Sequence, residues 1–197
     1  MEVTRHRARR CAFALVVLAL LSACAAGRQT ASGGRQTSPS GTPVVALDYA
    51  GFQSIEDMKA ASNLVVLGKF VRVIRKSFER EFAYGGDARS QGLPVAVWEF
   101  QIEQVLAGTQ SGATVKVVRF DSDRVQVEDQ GPVIPDKAVV LFLGQSRAGY
   151  RASVAGDQSI LDVSDNGRLS PRAAADPALQ SQVRGLSGLA DLVKRLS

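Results

Sequence analysis

The stretch Asp162-Val163-Ser164-Asp165-Asn166-Gly167 places oxygen-bearing side chains at relative positions 1, 3 and 5 and a glycine at 6, which is the first half of a calcium loop. Position 12 falls on Ala173, where such a loop needs a bidentate Glu. The stretch therefore reads as a turn, because Asn-Gly between two strand-like runs favours a tight type I′ hairpin. Two carboxylate groupings come next, Asp121-Ser122-Asp123 and Glu99 with Glu103. A glycosidase would hold such a pair in a cleft with one pKa raised. Residues 99 and 103 alternate onto a solvent face of a strand, so a solvated face is the better reading. Arg72, Arg75, Lys76 and Arg80 form a modest basic cluster, read as a solvated rim that can also meet anionic head groups. No lysine has Ser three residues before it, and there is no Gly-x-x-x-x-Gly-Lys-Ser/Thr phosphate loop. No catalytic residue, metal site or cofactor is expected, and the residues do not define a ligand-binding set.

The remaining reactive side chain is Cys24. Arg5, Arg7, Arg9 and Arg10 precede an apolar run over 11–21, and the small residues Ser22 and Ala23 lead to Cys24. A cationic start, a short apolar core and a small-residue exit make a secretory signal. The run is too short to span a bilayer, which takes about 20 residues. Leu21-Ser22-Ala23-Cys24 resembles the lipobox of bacterial lipoproteins. The resemblance implies that residues 1–23 are a signal peptide, removed after a diacylglyceryl group is attached to the Cys24 thiol. Further acylation makes a firm anchor, since each buried methylene contributes ~0.8 kcal/mol and one chain alone is marginal. The expected location is the extracytoplasmic face of the cell membrane.

That cleavage changes the composition. The whole chain has 24 basic and 19 acidic residues, a net +5. The leader holds four Arg and one Glu, so +5 less its +3 leaves +2 on the mature chain. A balance that small does not point to nucleic acid as a partner. His6 is the chain's single histidine and Cys11 its other cysteine, and both lie in the leader. The mature chain would then lack the imidazole and free thiol that Ser-His-Asp and Cys-His systems and most zinc sites require. It would also lack an internal disulfide, and its stability must come from a core alone.

Residues 24–46 are dominated by Gly, Ser, Thr and Pro and read as a flexible tether. A single domain is expected over 47–197. Ser54 caps a short helix with Glu56 and Asp57 in its first turn, ending near Ser62-Asn63. Strands are expected at 64–74, 95–106, 114–120, 138–143, 150–154 and 159–163. Trp98, Phe100 and Ile102 fall on one face of the second, and 138–143 is apolar throughout and so buried on both faces. Polar connections are expected over 77–92 and 121–136. Asp176-Pro177 opens a final amphipathic helix, 177–196, whose stripe is Leu179, Val183, Leu186, Ala190, Val193 and Leu196.

Leu64-Val65-Val66-Leu67-Gly68, Glu99-Phe100-Gln101-Ile102-Glu103-Gln104-Val105-Leu106-Ala107-Gly108, Asp136-Lys137-Ala138-Val139-Val140-Leu141-Phe142-Leu143, Gly149-Tyr150-Arg151 and Asn166-Gly167-Arg168-Leu169 together resemble a group of exported bacterial domains. To that group no activity is attached. Richness in Ala, Arg, Val and Gly fits an actinobacterial source. Two positions depart from the pattern: Ser159 stands where a second glycine is usual, and Ala107 where Lys is. The resemblance implies a mainly β fold, a small antiparallel β-barrel similar to the OB-fold or the netrin-like domain, with a short N-terminal helix and a C-terminal amphipathic helix. It carries no site residues.

The expected role is a non-catalytic module in the cell envelope, held to the membrane through lipid at Cys24 and meeting another envelope protein. The alternative is a carrier of a small apolar ligand or lipid. The two differ in the barrel interior, since a carrier needs a cavity of several hundred Å³.

Overall fold

A computed structural model of the chain describes residues 36–37, 43–45, 51–79, 92–128, 130–146, 150–173 and 176–197. Cys24, Leu21, Ser22, Ala23, the leader and Arg80 lie outside the described residues. The elements are β1 (Gln36–Thr37), β2 (Pro43–Val45), α1 (Ile55–Ala61), β3 (Leu64–Glu79), β4 (Leu93–Gly108), β5 (Thr114–Phe120), β6 (Gln126–Val127), β7 (Ala138–Gln145), β8 (Arg151–Asp157), β9 (Ile160–Val163), β10 (Leu169–Pro171), α2 (Pro177–Gly185) and α3 (Leu189–Leu196). The fold is mainly β, at 46% strand.

Seven strands form one sheet in the order β10-β9-β7-β3-β4-β5-β8. Strand β8 also pairs with β7, so β7, β3, β4, β5 and β8 close a ring of five. Its pairings are antiparallel except one: β5 and β8 run parallel, with Val117 opposite Arg151 and Val118 opposite Ala152. The expectation of a wholly antiparallel arrangement is corrected there, because β8 reaches β5 from the β7 side. A small separate sheet joins β1, β2 and β6. Its β1 and β2 fall inside the stretch read as a tether, and β6 inside the stretch read as a polar loop.

The hairpin β3–β4 is longer than the sequence suggests. Val, Ile, Leu and Phe make 64–74 a strand, and pairing with β4 carries the strand on through Ser77, Phe78 and Glu79, which had read as connection. The register shifts at Val65/Val66, Leu67/Gly68, Phe70/Arg72 and Val73/Arg75. Each irregularity bends and twists the ribbon, so four of them curl it into the ring. At the second shift the strands touch. A Cβ on Gly68 would lie 2.0 Å from the Gln101 carbonyl oxygen, so only glycine fits. Gly108 closes β4 at φ +85, where a Cβ would meet the Asn63 carbonyl oxygen at 2.3 Å.

Alternation on β3 and β7 divides the apolar side chains into two layers. Leu64, Val66, Phe70, Val139, Leu141 and Leu143 join Phe100, Val117 and Ile160 in one cluster. Phe70 packs edge-on against Phe100 and Trp98, with centroids 5.1 and 5.8 Å away. The opposite face of β3, β7 and β9 presents Val65, Val140, Phe142 and Leu161. The three helices cover it with Ile55 and Met58, Leu179 and Val183, and Leu192 and Leu196. Strand β7 is therefore buried on both faces, as its unbroken apolar run predicts. Each such side chain contributes about 1.5–3 kcal/mol.

Helix α1 starts as expected: the Ser54 hydroxyl accepts from the Asp57 amide at 3.0 Å. Asp176 caps α2 in the same way, accepting from the Ala178 amide at 2.8 Å. The expected single helix 177–196 is two helices. Gly185 and Gly188 weaken the helix at the join, and Gly188 packs so closely on Gly167 that a Cβ would stand 3.0 Å from the Gly167 carbonyl oxygen. Asp191 then reaches back and accepts from the Ser187 amide at 2.9 Å, which restarts the helix as α3. The break rephases the apolar stripe, so Leu192 is buried while Ala190 is exposed and Val193 half-buried.

Candidate functional site

The acidic pair and the basic cluster, separate features in the sequence, meet in space. The Lys76 ammonium on β3 donates to Asp121 Oδ1 at 2.9 Å and to Asp123 Oδ2 at 2.6 Å, just past the end of β5. Asp121 is buried and Asp123 exposed. The two carboxylates raise the Lys76 pKa, Asp123 contributing most, and Lys76 in turn lowers that of Asp123. An ammonium held charged in this way is no nucleophile. Arg124 Nε stands 3.6 Å from Asp121 Oδ2.

The other sequence candidates disperse. Arg72 pairs with Glu99 at 3.3 Å across the β3–β4 hairpin, and Arg75 donates to the Tyr150 hydroxyl at 3.0 Å. Glu103 is exposed on the solvent side of β4. Asp162 is taken up by cations: Arg172 donates to Oδ1 at 2.7 Å and Lys137 lies 3.3 Å from Oδ2. The segment after it is a turn, with the Gly167 amide donating to the Ser164 carbonyl at 2.7 Å. Its type differs from expectation. Gly167 alone takes positive φ, +76, while Asn166 does not, so a type I turn followed by a left-handed glycine joins β9 to β10. Five residues separate the last paired positions, Val163 and Leu169, too many for a two-residue I′ turn. Among the described residues no group of three His, Cys, Asp or Glu side chains could hold a metal ion.

One ion pair that the sequence reading missed is almost wholly buried. Arg119 of β5 meets Asp157 of β8 at 2.7 Å. Asp157 Oδ2 accepts from the Gly131 amide at 2.8 Å, and Arg119 donates to the Gly131 carbonyl at 3.1 Å. The Arg119 guanidinium also stands 5.8 Å from the Phe70 ring centroid. The only sequence signal was a charge inside the apolar run Val117-Val118-Arg119-Phe120.

These groups border a cleft of about 260 Å³ between the far half of β3, strands β4 and β5, and residues 130–133. Trp98, Lys76, Asp121, Asp123, Arg119 and Gln130 line it. Beside it, a smaller pocket at Val95, Val118 and Ala152 holds about 50 Å³. The cleft offers donors, acceptors and an aromatic wall, an arrangement suited to binding.

A second surface lies on the same strand. Strand β7 accompanies β3 only over 64–69, and the Asp136 amide donates to the Phe70 carbonyl just beyond. Over 71–79, among the described residues, β3 is paired on its β4 side alone. That length exposes Val73, Ile74 and Phe78.

Compared with known proteins, the chain matches no family model, no curated protein and no solved structure.

Proposed function

We propose that this chain is a lipoprotein of the bacterial envelope, held through Cys24 on the extracytoplasmic face of the cell membrane, and that its globular part is a non-catalytic module for meeting another envelope protein. The ring of strands is, in this reading, a small barrel of the OB-like or netrin-like kind. The half-free strand β3 carries the interaction. An unpaired strand edge is a template for a second strand. Residues 71–79 hold Arg72, Arg75 and Lys76; Asp121 and Asp123 already offset Lys76, so the cations open to a partner are Arg72 and Arg75. The Arg72–Glu99 and Arg75–Glu79 pairs, at 3.3 and 3.7 Å, are exposed and weak, hence open to exchange. The occupant that fits is an extended, acid-bearing segment of a partner protein.

The packing of the inner cluster around Phe70, Phe100 and Leu141 supports this reading over the carrier of an apolar ligand, which would need an apolar hollow of several hundred Å³. Among the described residues no helix is long and apolar enough to cross a membrane. The leader, the lipobox residues Leu21, Ser22 and Ala23, and the thiol of Cys24 support the anchor.

Two experiments test the proposal. Metabolic labelling with a fatty acid should mark the wild-type protein and not Cys24→Ala; labelling that survives the substitution refutes the anchor. Photo-crosslinkers placed at Ile74 and Phe78 should both trap one protein, through an acidic segment whose synthetic peptide binds the domain and is released by salt. Crosslinking from Glu103, on the solvent side of β4, with none from β3 refutes the edge.

A further inference from the structure

We propose that the cleft beside Trp98 binds a neutral polyhydroxylated ring, the sugar unit of a glycan. The inference rests on neither the anchor nor a partner at the strand edge, although Val73 and Lys76 of β3 belong to both surfaces. Its first support is an unmet acceptor. Asp121 is 3% exposed, and among the described residues its Oδ2 has no hydrogen bond; the Arg124 Nε at 3.6 Å is beyond reach of one. A buried acceptor left in that state costs stability until a donor arrives. Its second support is the donor next to it. Lys76 has three N–H groups, and Asp121 and Asp123 take two. Gln130 spends its amide nitrogen on the Phe120 carbonyl, which leaves its side-chain oxygen to accept.

Charge selects among ligands. Lys76 and Arg124 offset Asp121 and Asp123, and Arg119 offsets Asp157. An anion would face two carboxylates, and a metal ion would have to displace the Lys76 ammonium from between them. A wholly apolar ligand would leave Asp121 Oδ2 unmet. The wall of the cleft, in contrast, is apolar: Trp98 with Val73 and Val133. A sugar ring has the matching two-sided character. Its C–H face lies on an indole, and its hydroxyls donate to carboxylates and accept from an ammonium. The volume of about 260 Å³ suits one ring, with further units extending into solvent.

Trp98 is the chain's sole tryptophan, so its emission reports this cleft alone. The full chain, in detergent micelles, is titrated with glucose, N-acetylglucosamine and their β1,4-linked tetramers, and the same mixtures are read by saturation-transfer NMR. The expected result is a saturable shift of Trp98 emission with at least one sugar, together with transfer to that sugar's ring C–H protons. Asp123→Asn, at an exposed carboxylate, should weaken binding about tenfold by loss of one charge-assisted hydrogen bond. Lys76→Met should do the same. Absence of a saturable response to every sugar in both readouts overturns the proposal. So does a response that Asp123→Asn and Lys76→Met both leave unchanged, because the sugar then binds elsewhere.

Discussion

Arg119 and Asp157 meet at 2.7 Å across the only parallel pairing in the ring, with both side chains withdrawn from solvent. The Gly131 backbone completes the arrangement from the loop side, donating to Asp157 and accepting from Arg119. Removing one partner of a buried pair strands the other, at about 3–5 kcal/mol. Asp157→Ala should therefore lower the unfolding free energy by that amount in urea denaturation. The double substitution Arg119→Met, Asp157→Leu should recover much of the loss, since it buries no charge. A single variant as stable as wild type would show the pair to be idle.

Acid and alkali should act through different groups. Lys76 lowers the pKa of Asp123 below its ordinary 3.8, and hydrogen bonds from Ser187 lower that of Asp191. A depressed carboxyl stabilises the fold above its unfolded pKa, and the effect is lost as pH falls through the folded value. Asp123→Asn with Asp191→Asn should thus flatten the loss of stability below pH 3.8, read from urea midpoints at stepped pH. Lys76 is raised from 10.5, chiefly by Asp123 and then Asp121, so its contribution is complete below that value and vanishes as pH climbs through the higher folded one. Lys76→Met should remove that alkaline loss. Both effects are modest and shrink in salt, because the groups are exposed.

Three glycines separate by what surrounds them. Gly68→Ala drives a methyl group into the Gln101 carbonyl oxygen and should cost about 3 kcal/mol or prevent folding. Gly108→Ala is blocked twice, by the Asn63 carbonyl and by its φ of +85. Gly185, the last residue of α2, has nothing within 4 Å of its would-be Cβ. Gly185→Ala should raise stability by about 0.5 kcal/mol through helix propensity. Thermal melts of the three variants check the order.

Ser159 pins a turn through its side chain. Its hydroxyl accepts from the Ala155 amide at 3.1 Å and donates to the Gly156 carbonyl at 3.0 Å, holding the β8–β9 turn from inside. Ser159→Ala leaves the Ala155 amide without that acceptor and should destabilise by about 1–3 kcal/mol. Hydrogen exchange at Ala155 should accelerate in the variant, and unchanged protection would show that the hydroxyl is not needed.

Local signals were legible and long-range ones were not. Ser54 and Asp176 announced their helices because a cap acts within three residues, and Trp98-Phe100-Ile102 announced a half-buried strand because alternation is local. The unbroken run at 138–143 correctly foretold burial on both faces. The parallel β5–β8 contact lay beyond such reasoning, since nothing near Val117 points to Arg151. The split of the final helix was written only as two weak glycines, Gly185 and Gly188. The effect of Gly188 depends on Gly167 arriving alongside, which periodicity cannot foresee. The cleft was half-visible: the acids at 121 and 123 and the cations at 72–76 stood out as clusters, but the hairpin β3–β4 had to curl before Lys76 could reach Asp121. The pattern glycines at 68 and 108 drew attention as motif letters, and the close approach of Gln101 and Asn63 supplies their reason.

The α1 and α3 helices are clasped to each other: Lys59 donates to the Leu196 carbonyl, and Arg195 meets Glu56 at 3.1 Å. The outer layer over Val65, Val140, Phe142 and Leu161 therefore closes only when residues 189–196 arrive. Until those residues join it, a nascent polypeptide stays unfinished on that side, greasy and recognisable to chaperones.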